Sequence, residues 1–285
     1  MGADQTFDIN EPKIKKEEIL ITKDKYFKPQ NVAIVTGAAS GIGRATAVGL
    51  SVNDLTVLGT DLDEARGRET VEIARELGGW VIFFPADLSK DEDIEKIVQR
   101  AAQIGTIKYL ANIAGIQHIN SIEDFPMEKY DLMQRIMVRA PFFLSKLCIP
   151  HMKKSEDGVG AIGNMSSVHG HMVTRNKPVY NITKFALRGL TQSIAAEGEG
   201  KIRSFSVSTG FVKTPLALKQ IPEQARQRGI TPEAVVREVM MGRSQIKEMM
   251  SPIEVGNLFT LGFSWLGRYL IGGDLLFDGG MVKTY

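Results

Sequence analysis

The sequence predicts an α/β fold, a doubly wound parallel sheet with helices on both faces. Three observations carry this expectation. From Asn31 onward, short apolar runs alternate with amphipathic stretches. The runs lack the polar alternation of a half-exposed strand, so they suit strands covered on both sides. A glycine-rich turn joins the first run to the first amphipathic stretch, the arrangement of a strand feeding a helix.

The elements follow in order. Residues 32–36 read as a buried strand and 44–51 as the helix after the turn. Residues 56–60 form a second strand, and 64–77 a second helix closed by Gly78 and Gly79. A third strand at 81–84 precedes a helix at 91–104. Further strands lie at 109–112, 161–165 and 202–208, separated by long helices at about 127–153 and 179–198. Right-handed crossovers then give a single-domain, Rossmann-type sheet over residues 29–285. Residues 214–250 break the rhythm. They are helical, rich in Met at their end, and placed where a helical substrate lid would sit.

Residues 1–28 differ from the rest. Between Glu11 and Lys28 the chain is dense in Lys and Glu, with a small apolar patch at Ile19, Leu20 and Ile21. The segment lacks the apolar core of a signal peptide, and its acidic residues argue against a transit peptide. It reads as a polar, solvated arm whose patch packs on the body or on a neighbouring subunit.

Composition narrows the function. Hydrophobic content of 43% and charge of 24% suit a soluble globule, expected in the cytoplasm. A net charge of +2 is too small to imply nucleic-acid or membrane partners. No uncharged apolar run approaches the roughly 18 residues of a membrane span. The lone cysteine, Cys148, sits among apolar neighbours and excludes an internal disulfide. His118, His151 and His171 have no metal-ligand spacing, so no metal is expected.

The turn reads Thr36-Gly37-Ala38-Ala39-Ser40-Gly41-Ile42-Gly43. Glycines there let backbone approach a pyrophosphate, which a helix N-terminus attracts. Gly37, Ser40, Gly41, Ile42 and Gly43 are the candidate cradle. Asp61, ending the second strand, is placed to accept hydrogen bonds from an adenosine ribose. Its charge repels a 2′-phosphate, so NAD is expected over NADP. Asp87 beside Leu88 serves either the adenine edge or a turn before Lys90. Asn112, Ala114 and Gly115 fall on the carboxyl edge of the fourth strand, where ligands of open sheets bind.

Tyr180 and Lys184 are four residues apart and share a helix face. An ammonium there favours the phenolate and lowers the phenol's pKa, which makes Tyr180 a candidate acid/base for an alcohol. Ser167 is placed to hydrogen-bond the same oxygen.

Together these motifs, with Asn112-Ile113-Ala114-Gly115 and the closing Asp278-Gly279-Gly280, resemble the short-chain dehydrogenase/reductase family from about residue 30 onward. The resemblance implies that Tyr180 is the general acid/base and that Ser167 orients the substrate oxygen. It implies that Lys184 lowers the Tyr180 pKa and holds the nicotinamide ribose. Gly210, Val212 and Thr214 would meet the cofactor, Thr214 at its carboxamide. Within the family, the runs Ala114–Gly115–Ile116–Gln117–His118, Ile122–Glu123–Asp124–Phe125–Pro126 and Pro150–His151–Met152–Lys153–Lys154 are most similar to the D-3-hydroxybutyrate dehydrogenase branch. That likeness implies a small carboxylate substrate held by Gln117, His169, Lys177 and Gln220 beside Ser167 and Tyr180, in a homotetramer.

Each polar residue has a plainer role open to it. Gln117 could satisfy a loop, His169 could pack or cap, and Lys177 and Gln220 could be solvated. Other functions also stay open: a reductase of another sugar, polyol or ketone, or an NAD-binding homologue impaired in catalysis. The impaired reading comes from Met137, which stands where the family usually carries an asparagine. Arg203, Thr209, Phe211 and Met281 also depart from the pattern.

Overall fold

The computed structural model describes residues 10–283. The first nine residues of the expected arm lie outside them. Strands and helices alternate as β1 (Asn31–Thr36), α1 (Gly41–Val52), β2 (Thr56–Asp61), α2 (Glu64–Leu77), β3 (Trp80–Pro85), α3 (Asp91–Ile104) and β4 (Thr106–Asn112). The second half continues with α4 (Met127–Gln134), α5 (Ala140–Lys153), β5 (Gly160–Met165), α6 (Pro178–Glu197) and β6 (Ile202–Thr209). The short helices α7 (Pro215–Leu218), α8 (Ile221–Arg228) and α9 (Pro232–Ala234) follow, then α10 (Pro252–Phe263) and β7 (Gly273–Phe277).

The described strands form one parallel seven-stranded sheet in the order β3-β2-β1-β4-β5-β6-β7. The order reverses between β1 and β4, so the crevice that receives ligands opens at their carboxyl ends. Two apolar layers cover the sheet. One face packs Val35, Val57 and Phe205 against Val48 of α1 and Phe259 of α10; the other packs Ile34, Leu58 and Leu110 against Ile97 of α3 and Leu144 of α5. No described helix is long and apolar enough to cross a membrane.

Two elements went unpredicted. Helix α10 is buried nearly all round, so its sequence shows no polar stripe. It crosses α1 closely at Gly256, where a Cβ would stand 3.0 Å from the Ala45 carbonyl carbon. Strand β7 is a half-exposed edge of five residues between glycines, too short for a period to show. Strand β4 also begins earlier than expected, because the buried Lys108 interrupts its apolar run. Lys108 is satisfied there by Ser155 Oγ at 2.8 Å, the Val159 carbonyl at 3.0 Å and the Asp157 carboxylate.

Between α4 and α5 the chain makes a π-helical turn over Arg135–Arg139. Pro141 explains it. Proline has no N–H to offer the Met137 carbonyl four residues back, so the turn widens.

The described part of the arm is solvated along Lys15–Glu18 and at Ile21, yet it is pinned to the body. Its Leu20 amide donates to Asn257 Oδ1 (2.8 Å) on α10, and Asn53 Nδ2 donates back to the Leu20 carbonyl (2.8 Å). Ile19 is buried in the α1/α10 layer, and Phe27 meets the Tyr109 ring edge-on at 5.6 Å. The 214–250 segment is several short helices around a satellite core of Leu218, Ile221, Val235, Met240 and Met249.

Candidate active site

The carboxyl ends of the central strands converge on one cavity. Its first wall is the glycine turn. Gly37 and Gly41 have φ of +72° and +54°, where a side chain would strain the backbone. A Cβ on Gly43 would fall 2.0 Å from the Gly37 carbonyl oxygen, so only glycine closes the turn. Ser40 is the N-cap of α1 but makes no capping bond through its hydroxyl, and it faces the cavity. Asp61 is oriented by backbone: Ala39 N–H donates to Oδ2 (3.2 Å) and Leu62 N–H to Oδ1 (2.7 Å).

The other expected cofactor residues lie on the same wall: Ile42, Asp87, Leu88, Ala114, Gly115, and, from the loop after β6, Gly210, Val212 and Thr214. Asp87 accepts from the Ser89 amide and hydroxyl, so it also organises its own turn. Asn112 does not line the cavity. Its Nδ2 donates to Asn164 Oδ1 (2.8 Å), whose own amide donates to Thr191 Oγ1 (2.9 Å), so it braces β4 against β5 and α6.

Ser167, Tyr180 and Lys184 line the deep end together with Gln117, His169, Lys177 and Gln220. Lys184 Nζ donates to the Met165 carbonyl (2.9 Å) and lies 5.2 Å from the Tyr180 ring centre. Met165 was not singled out in the sequence, because backbone acceptors leave no residue-type signal. Burial pushes Lys184 down to about 8. Burial also pushes Tyr180 up to about 12, and Ser167, not Lys184, opposes that rise through a hydrogen bond. The expected lysine-depressed phenol is therefore absent from this structure: the ammonium is anchored on a strand-end carbonyl, and desolvation dominates.

His169 ties the loop after β5 together. Its Nδ1 lies 3.2 Å from Ser167 Oγ and its Nε2 3.0 Å from Thr174 Oγ1, with the ring edge-on to Tyr180 at 5.4 Å. Gln220 Nε2 donates to the Leu216 carbonyl (2.6 Å). Gln117, which lines the cavity, has its Nε2 buried with no hydrogen-bond partner.

Comparisons with known proteins identify the family. The short chain dehydrogenase family model matches residues 31–225. The chain belongs to the short-chain dehydrogenase family. It is 36% identical to a D-beta-hydroxybutyrate dehydrogenase of Rhizobium meliloti, over 85% of this chain and 92% of that one. A protein of the same name from Cupriavidus necator is 31% identical, over 88% of this chain and 97% of that one. Among solved structures, L-sorbose reductase from Gluconobacter frateurii, complexed with NADPH and L-sorbose, superposes with a TM-score of 0.85 at 27% identity, covering 91% of this chain and 99% of that one.

This short-chain dehydrogenase is thus an oxidoreductase, and its departures can be placed. Met137 is wholly buried in the π turn; its sulfur lies 4.0 Å from the Thr183 hydroxyl, which donates to the Tyr180 carbonyl (2.9 Å). That sulfur and Lys184 Nζ stand 3.4 and 3.9 Å from where a Cβ on Gly115 would be. A thioether is a weak acceptor, so the lysine gains little from it and stays desolvated. Arg203 serves the fold, donating to the Gly262 and Phe263 carbonyls that end α10 and to the Gly267 carbonyl just beyond it. Phe211 and Met281 pack with the satellite core of the 214–250 segment.

His169 makes a pH test. Burial, then the Lys177 and Lys184 ammoniums, hold it down to about 4 from its usual 6.5. The unfolded chain binds that proton first, so the stabilisation is whole above pH 6.5 and drains away as pH falls toward 4. It amounts to about 3 kcal/mol at most. Thermal melts from pH 7 to 4 should show His169→Gln losing less stability than wild type over that window. Parallel losses would exclude this origin.

Proposed function

We propose that the protein interconverts D-3-hydroxybutyrate and acetoacetate with NAD as the hydride carrier. The observation that carries this is the buried, unpartnered Gln117 amide on the wall that also holds Lys177. A donor without an acceptor and a half-buried cation suit a small carboxylate beside the reacting alcohol. Both curated relatives described above bear the name of that enzyme, which supports the reading.

The glycine turn and Asp61 fit a nicotinamide dinucleotide: glycines keep side chains away from the turn, and a fixed carboxylate favours free ribose hydroxyls over a 2′-phosphate. Such a cofactor supplies the hydride acceptor when bound. Tyr180 takes the hydroxyl proton, Ser167 holds the same oxygen, and Lys184 keeps positive charge near the phenolate as it forms. Gln117 and Lys177 orient the carboxylate so that the carbinol carbon alone faces the cofactor. A homotetramer built on α5 and α6 suits the exposed Phe142, Ile182 and Phe185 on those helices.

A second reading comes from the sorbose reductase, whose structure is a complex with NADPH and a sugar. A steady-state screen separates the two. NAD and NADP are each paired with D- and L-3-hydroxybutyrate, and NADPH with L-sorbose. Turnover confined to NAD and the D-isomer is expected; turnover on the sugar alone would replace the proposal.

A further inference from the structure

The N-terminal arm reaches the glycine turn. The Gly41 amide, the first free N–H of α1, donates to Glu11 Oε1. Glu11 Oε2 lies 3.3 Å from Arg66 Nη2 on α2 and 3.9 Å from Arg44 Nη1 on α1. The Glu11 carboxylate is largely buried, and that desolvation pulls its pKa upward against the two arginines.

Asp61 binds the same turn two residues earlier, at the Ala39 amide. Two carboxylates therefore hold consecutive parts of one turn, and Ser40, between them, faces the cavity. The neighbouring cations are consumed. Arg44 Nη2 also donates to Glu69 Oε2 (2.9 Å) and to the Ala39 carbonyl (2.6 Å), while Arg66 is a third exposed and held by Glu11.

We propose that Glu11 is a determinant of cofactor choice, acting with Asp61 to reject a phosphate on the adenosine 2′-position and keeping Arg66 from pairing with one. This rests on the reading of Asp61 as the ribose partner. A 2′-phosphate beside Ser40 would meet a turn held by two carboxylates, with Arg44 and Arg66 already engaged. Neutralising Glu11 removes one of these charges and frees Arg66, and both changes favour the phosphate.

The test compares 2′,5′-ADP with 5′-AMP, which differ only by the 2′-phosphate, by calorimetric titration of wild type, Glu11→Gln and Glu11→Gln/Arg66→Ala. Glu11→Gln should tighten 2′,5′-ADP relative to 5′-AMP by about tenfold, the scale of one partly screened charge contact. Adding Arg66→Ala should return most of that gain. Equal weakening of both nucleotides in Glu11→Gln would make Glu11 a mere brace of the turn. Equal tightening would make the arm a plug. Either result overturns the proposal, as does an unchanged ratio in a variant whose melting temperature matches wild type. Because the readout is a change between variants, it stands apart from the cofactor preference of the wild type, which the substrate screen decides.

Discussion

Tyr180→Phe is expected to lower kcat for alcohol oxidation by about 10²–10⁴-fold, the range for loss of a positioned acid/base. The ring is retained, so its packing against His169 and Lys184 survives. NADH affinity, read by fluorescence titration, should therefore stay within a factor of a few. Direction of pH dependence follows from the same group. Oxidation needs the phenolate, and burial pushes the phenol up to about 12. Oxidation should therefore speed up as pH rises, and ketone reduction, which needs the phenol, should slow. A variant that kept more than a tenth of wild-type turnover would remove Tyr180 from the proton step.

Lys177→Ala is expected to raise KM for 3-hydroxybutyrate by about 10-fold, with kcat changed far less. A charge-assisted hydrogen bond is worth about 1.5–3 kcal/mol when dry, and the half-buried position of Lys177 argues for the lower end. A pattern of raised KM with steady kcat marks binding made equally in ground and transition states. Butan-2-one, which has no carboxylate, serves as the control and should be reduced equally well by both proteins. Unchanged acetoacetate kinetics would take Lys177 out of the substrate site and leave Gln117 to a different ligand.

Much of this fold was legible because its strands are covered on both faces and its turns are glycine-marked. Residues 32–36 and 56–60 announced β1 and β2 through short, largely apolar runs. Strand β7 and helix α10 were hidden for opposite reasons: one is too short and exposed for a pattern, the other too buried to have a polar face. In the site, side chains recognisable by motif spacing, among them Asp61, Ser167, Tyr180 and Lys184, do line one cavity. Groups that act through backbone, such as the Met165 carbonyl beneath Lys184, were not recognisable in this way. Asn112 was assigned to the cofactor because it ends β4, yet its amide turns under the strand to Asn164; sequence position locates a side chain's root but not its direction. Glu11 escaped for a related reason. A carboxylate among Lys and Glu reads as solvated until tertiary contact brings it to a turn 30 residues away.

The clasp between Leu20 and Asn257 spans 237 residues of chain. On a ribosome adding about 5–20 residues per second, the arm waits roughly 10–50 s for the helix it must grip. The arm's grips on Asn53, Gly41 and Arg66 need only the first quarter of the chain, so Glu11 can seat on the turn while the rest is still being made. The bond to α10 then closes last and locks in place an arm that early contacts have already positioned.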